Sequence, residues 1–119
     1  MIAKTLITAL AASAILAVPA EAKALPTLWL SEAKLVQKRL AYKITPRIPH
    51  DRRDLGRCVR DSRLSAHCQV DFFDTEKAGD EQIHTKRVFK VVVTRSSTPG
   101  GFRTTGTITQ VSYKEVEGR

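Results

Sequence analysis

The sequence predicts an α+β fold: one N-terminal helix packed on a four-stranded antiparallel meander sheet, stapled by one disulfide. Three observations lead there. A single helical period, carried by Ala33, Val36, Leu40 and Ala41, precedes several runs in which apolar and polar side chains alternate. Short turn-like segments separate those runs and no strand is followed by a crossover helix, so consecutive strands pair antiparallel. Cys58 and Cys68, the only cysteines, flank the first of these turns.

Residues 1–22 have the layout of an export signal. Lys4 supplies a positive start, Leu6 to Val18 is an uncharged apolar stretch of 13 residues, and Ala20-Glu21-Ala22 offers the small-x-small pattern of a cleavage site. Spanning the hydrocarbon core takes roughly 20 apolar residues, so the stretch reads as a cleaved leader and not as an anchor. Ala22-Lys23-Ala24 fits the pattern too, which makes 1–24 the alternative leader. No cysteine follows either cut to accept a lipid anchor. Residues 23–119 then form a single secreted or periplasmic domain with no further long apolar stretch to cross a membrane.

Lys23 to Leu30, with Pro26 and Trp29, reads as an extended lead-in, and Trp29 as an aromatic plug packing it against the rest. Ser31 is placed to cap a helix running to about Lys43, with Glu32 in the first turn, where the helix dipole favours negative charge. Leu35 falls off the apolar face, and Lys34, Lys38 and Arg39 occupy the opposite side. Thr45-Pro46 and Ile48-Pro49 end the helix, because the residue before a proline is pushed away from helical geometry.

After the charged connection from His50 to Leu55, strands are expected at Gly56 to Asp61 and at Ala66 to Phe73. Asp74 to Glu81, with Gly79, reads as a turn or short loop. Ile83 to Arg95 is the strongest strand signal: Ile83, Phe89, Val91 and Val93 share one face, while His84, Lys86, Lys90 and Thr94 share the other. Val88 and Val92 on that second face point to partial cover there. Thr98-Pro99-Gly100-Gly101 is a turn, and Phe102 to Tyr113 completes the set, with Gly106 at a bulge or close approach.

Export into an oxidising space makes a Cys58–Cys68 disulfide the expectation for an even count. A hairpin symmetric about Arg63 sets the two cysteines opposite each other, and closing the 11-residue loop is worth about 2.8 kcal/mol by loop entropy. A nucleophilic thiol activated by His67 is disfavoured, since adjacent residues on a strand face opposite ways. No metal is expected either, because His50, His67 and His84 are scattered and no C-x2-C or H-x3-H unit is present.

Charge is the one feature that points to a partner. The formal net charge of +8 is uneven: Lys34 to Arg63 carries ten basic residues against Asp51, Asp54 and Asp61, a balance of +7. Leu64 to Thr85 stands at −4 and the remainder returns to +5. Solubilising surface charge is the plainer account of these residues. The functional alternative is a basic patch of Arg47, Arg52, Arg53, Arg57, Arg60 and Arg63 attracting an anionic polymer of the cell envelope. No zinc finger or RNP-type motif supports specific nucleic-acid recognition. No nucleophile elbow, H-E-x-x-H helix or phosphate-binding glycine loop suggests an enzyme, and no cofactor is implied. Asp71 and Asp74, flanking Phe72-Phe73, read as edge and turn residues.

Around Cys58-Val59-Arg60-Asp61-Ser62, with Cys68 ten positions on from Cys58 and a helix upstream, the chain resembles small exported bacterial proteins. These share a signal peptide, one helix and a cysteine-stapled β-hairpin. The resemblance brings no function and no functional residues. The expectation is therefore a non-enzymatic exported binding module, with a secreted inhibitor or accessory protein that binds another protein as the alternative.

Overall fold

The computed structural model describes residues 25–118, so the expected leader, 1–22 or 1–24, lies outside the described residues. Helix α1 spans Leu30–Ile44 and passes into a 3-10 turn at Thr45–Arg47. Four strands follow: β1 at Arg52–Ser62, β2 at Ser65–Ala78, β3 at Glu81–Thr98 and β4 at Gly101–Gly118. They form one antiparallel sheet in the order β1-β2-β3-β4, the meander expected from the short connections. Among the described residues no helix is long and apolar enough to cross a membrane.

The helix begins two residues before the expected start, with Trp29 and not Ser31 as its N-cap. The cap works through Glu32, whose Oε1 accepts the Trp29 backbone N–H at 3.0 Å. At the other end Thr45 stays helical, with φ −49° and ψ −46°, although Pro46 follows it. Its hydroxyl donates to the Ala41 carbonyl at 2.6 Å, and Pro46 falls in the 3-10 turn, whose start tolerates a missing N–H.

Trp29 is not the plug it was expected to be: it is 62% exposed, and Leu28, 1% exposed, is buried in its place. The Leu28 N–H donates to the Arg63 carbonyl at 2.9 Å, so the lead-in crosses the β1–β2 turn with Leu28 facing the core. Arg95 then ties this segment to the sheet. Its Nη1 donates to the carbonyls of Pro26 and Thr27, and its Nε to Thr104 Oγ1 at 3.1 Å. Its Nη2 pairs with the Glu32 carboxylate, and its guanidinium lies over the Phe102 ring at 4.6 Å.

The core forms where the helix meets one sheet face, here called the inner face. Ala66, Cys68, Val70 and Phe72 of β2 and Phe89, Val91 and Val93 of β3 are buried there with Ala33 and Ala41. Phe72 and Phe89 meet edge to face at 5.5 Å. Val36, Leu40, Ile44 and Ile108 pack around this cluster. The close approach foreseen at Gly106 is present: a Cβ there would overlap the Val36 Cγ1 methyl and stand 3.0 Å from Leu40 Cδ1. The bulge of β4 lies elsewhere, at Val111, between the pairs Phe89↔Gln110 and Val88↔Ser112.

All four strands are longer than their alternating patterns. β1 starts at Arg52, because Arg52 to Leu55 pair with Phe73 to Val70. The loop expected at Asp74 to Glu81 is mostly strand, with Ala78 paired to Glu81 and the chain turning through Gly79, whose φ is +68°. These extensions bury little side-chain surface, so no apolar period marks them in the sequence.

Cys58 and Cys68 are joined, directly opposite on β1 and β2 with Cα atoms 4.1 Å apart. Between Leu55 and Cys58 the β1 strand bulges, so Gly56 and Arg57 together face Gln69. Gln37, fully buried on α1, sits over this bulge and donates Nε2 to the Gly56 carbonyl at 2.9 Å and to the Gln69 carbonyl at 2.8 Å.

Candidate functional site: a cationic face of the sheet

The outer sheet face, away from α1, carries the side chains that alternate with the core residues. Strand register lines them up in rows that cross the sheet, because directly paired residues share a face. One row reads Arg52, Phe73, Lys86 and Lys114, one residue from each strand in order. Neighbouring strands lie about 4.8 Å apart, so this row presents three cations and one aromatic ring across the full width of the sheet.

Arg52 lies over the Phe73 ring at 4.1 Å, and the Lys86 ammonium stands 5.6 Å from the same ring. Cations over an aromatic face are held by its quadrupole, so the ring organises the two side chains. Lys86 and Lys114 face each other directly, an arrangement that costs stability between like charges. Among the described residues neither has an acidic partner within 4.0 Å, while Arg52 meets Asp54 at 3.6 Å near the surface. The next row on this face is Asp54, Asp71, Val88 and Ser112, and in the row after it Lys90 is exposed between Gln69 and Thr109.

The inner face beyond the helix has the opposite sign. Asp74, Thr85 and Glu115 form one row there, and Glu76, Ile83 and Glu117 form the next. The row of Arg52, Phe73, Lys86 and Lys114 and these acidic rows thus lie on opposite faces of the sheet.

The six arginines singled out from the sequence are distributed and not gathered. Arg52 belongs to the outer row. Arg53, paired with Phe72, points to the helix side and donates to Thr45 Oγ1 at 2.7 Å. Arg57 lies in the bulge and lines a shallow depression with Leu30, Ser31, Lys34 and Cys58. Arg60 pairs with Ala66 and is exposed, and Arg47 is exposed in the 3-10 turn. Arg63 occupies the β1–β2 turn and donates Nη1 to the Leu25 carbonyl at 2.5 Å. Clustering in sequence put them together on paper, whereas strand alternation and the bulge send them to different faces. Lys114 and Phe73 were not singled out. The available signal was the even-numbered spacing of His84, Lys86 and Lys90 on β3, which needs strand register before Phe73 and Lys114 join it.

The remaining chemistry-bearing groups are occupied locally. His67 lies on the outer face, its Nδ1 2.7 Å from Asp61 Oδ1, while Cys68 beside it points inward and is oxidised. His84 is exposed and bonded to Thr75 Oγ1 at 3.1 Å. No group of three or more His, Cys, Asp or Glu side chains able to hold a metal occurs among the described residues. Comparison of the chain with protein-family models, curated proteins and solved structures returned no match.

Proposed function

We propose that the chain is an exported, non-enzymatic binding module that engages an anionic polymer of the cell envelope through the outer face of its sheet. The observation that carries this reading is the cross-strand row of Arg52, Phe73, Lys86 and Lys114. Two lysines held opposite each other without acidic partners are a cost in the free protein, and a bound row of carboxylates or phosphates would offset it. The disulfide is compatible with an exported chain, since such bonds persist in oxidising compartments.

The test compares two double variants of equal charge loss, Lys86→Gln/Lys114→Gln on the sheet and Lys34→Gln/Lys38→Gln on the helix. Binding to soluble polygalacturonate is measured across a salt series. The sheet variant is expected to lose about tenfold in affinity, about 1.4 kcal/mol, with the helix variant close to wild type. Equal losses would show that net charge alone drives binding, and would remove the site.

The second reading, an accessory protein that binds another protein, rests on the free edge of β4. Thr104 to Tyr113 is ten residues without charge on an edge strand, and such edges accept an added strand.

A further inference from the structure

The outward face of α1 carries an arrangement that folding does not require. Leu35 and Tyr42 stand two turns apart, opposite the buried Ala33, Gln37 and Ala41, and are 61% and 77% exposed. Trp29 at the N-cap adds a third large side chain in solvent. Lys34 and Lys38 flank this ridge on one side, Arg39 and Lys43 on the other, and all four are exposed. Glu32 is the only acidic residue of the helix, and it is committed to Arg95 and to the Trp29 N–H.

We propose that this ridge docks the protein onto an anionic lipid bilayer, with Leu35, Tyr42 and Trp29 at headgroup depth and the four cations against the lipid phosphates. Tyrosine and tryptophan favour the boundary between water and hydrocarbon, having an apolar body and a polar tip. Lysine and arginine reach past an apolar ridge to meet anionic headgroups, each adding about fivefold in binding. A second copy of the chain does not suit the ridge. A two-fold contact would set its four cations against the same four. A soluble polyanion would answer the cations and leave the three large side chains in water. A bilayer accommodates both, and the convex helix meets it without a groove. The ridge lies on the opposite side of the sheet from the row of Arg52, Phe73, Lys86 and Lys114, so this inference stands apart from the polymer-binding reading.

Trp29 is the only tryptophan and so reports directly on the docking. The protein is recovered after export, its N-terminus is checked by mass spectrometry, and it is titrated with vesicles of phosphatidylglycerol and phosphatidylethanolamine. The expected result is a blue shift of Trp29 emission and co-sedimentation, both absent with phosphatidylcholine vesicles. Leu35→Ser/Tyr42→Ser is expected to bind at least tenfold more weakly with unchanged melting temperature, since both side chains are exposed. Lys86→Gln/Lys114→Gln is expected to bind like wild type. The proposal is overturned if no shift or co-sedimentation appears, or if Leu35→Ser/Tyr42→Ser binds as tightly as wild type. It is equally overturned if that variant converts a dimer to a monomer, because a second copy would then be the occupant.

Discussion

Gln37 is a polar side chain with no exposed surface, placed over the bulge of β1. Gly56 and Arg57 face Gln69 across the bulge, and the single amide of Gln37 donates to both the Gly56 and the Gln69 carbonyls. Gln37→Leu keeps the bulk and removes the donor. Stranding a buried acceptor costs about 1–3 kcal/mol, so urea denaturation is expected to show a loss of at least about 2 kcal/mol with little change in slope. A loss below about 0.5 kcal/mol would mean that water reaches the bulge. Glu32 supports a second prediction. The Trp29 N–H it accepts holds its carboxyl below the ordinary value of 4.5; partial desolvation opposes this, and Arg95 adds to the lowering. A depressed folded value means stability that is present above the unfolded value and lost as pH falls through the folded one. The melting temperature is therefore expected to fall as pH drops below 4.5, and Glu32→Gln to flatten that part of the profile.

At the scale of elements, the helix is seated on the sheet by what β4 lacks. Gly106 leaves room for Val36 and Leu40 where the helix crosses the strand, so Gly106→Ala must push the helix off or bend the strand. Overpacking of this kind costs about 1–3 kcal/mol, and the measurement is a thermal or urea melt of the variant beside Gly101→Ala, whose Cβ would meet nothing within 4 Å. A Gly106→Ala variant as stable as Gly101→Ala would show that the helix is not held closely there. The elements themselves were readable to different depths. Ala33, Val36, Leu40 and Ala41 announced the helix, and Cys68, Val70 and Phe72 the middle of β2, because burial on one face imposes a period. Asp74 to Glu81 looked like a loop because a strand exposed on both faces has no such period, and only its pairing with β3 keeps it extended. Ser31 looked like the cap because its side chain suits one. Trp29 took the position because the backbone there is already held by Leu28 and by the Glu32 carboxylate.

For the molecule as a whole, the sequence alone determined the composition of the described parts: one helix, antiparallel strands in chain order, a paired set of cysteines and a strongly basic balance. Each of these depends on local period, on residue type or on a short spacing, all of which survive in one dimension. The tertiary structure decided how charge is displayed. Six arginines close in sequence lie on different faces, because alternation and a bulge separate neighbours. Arg52, Lys86 and Lys114, far apart in sequence, come into one row, because antiparallel register brings distant residues face to face. It also decided the fate of the aromatic and polar residues, exposing Trp29 and burying Gln37 and Arg95. Those outcomes turn on where a bulge and a crossing segment bring carbonyls within reach of a side chain, and that is known only once the strands have paired.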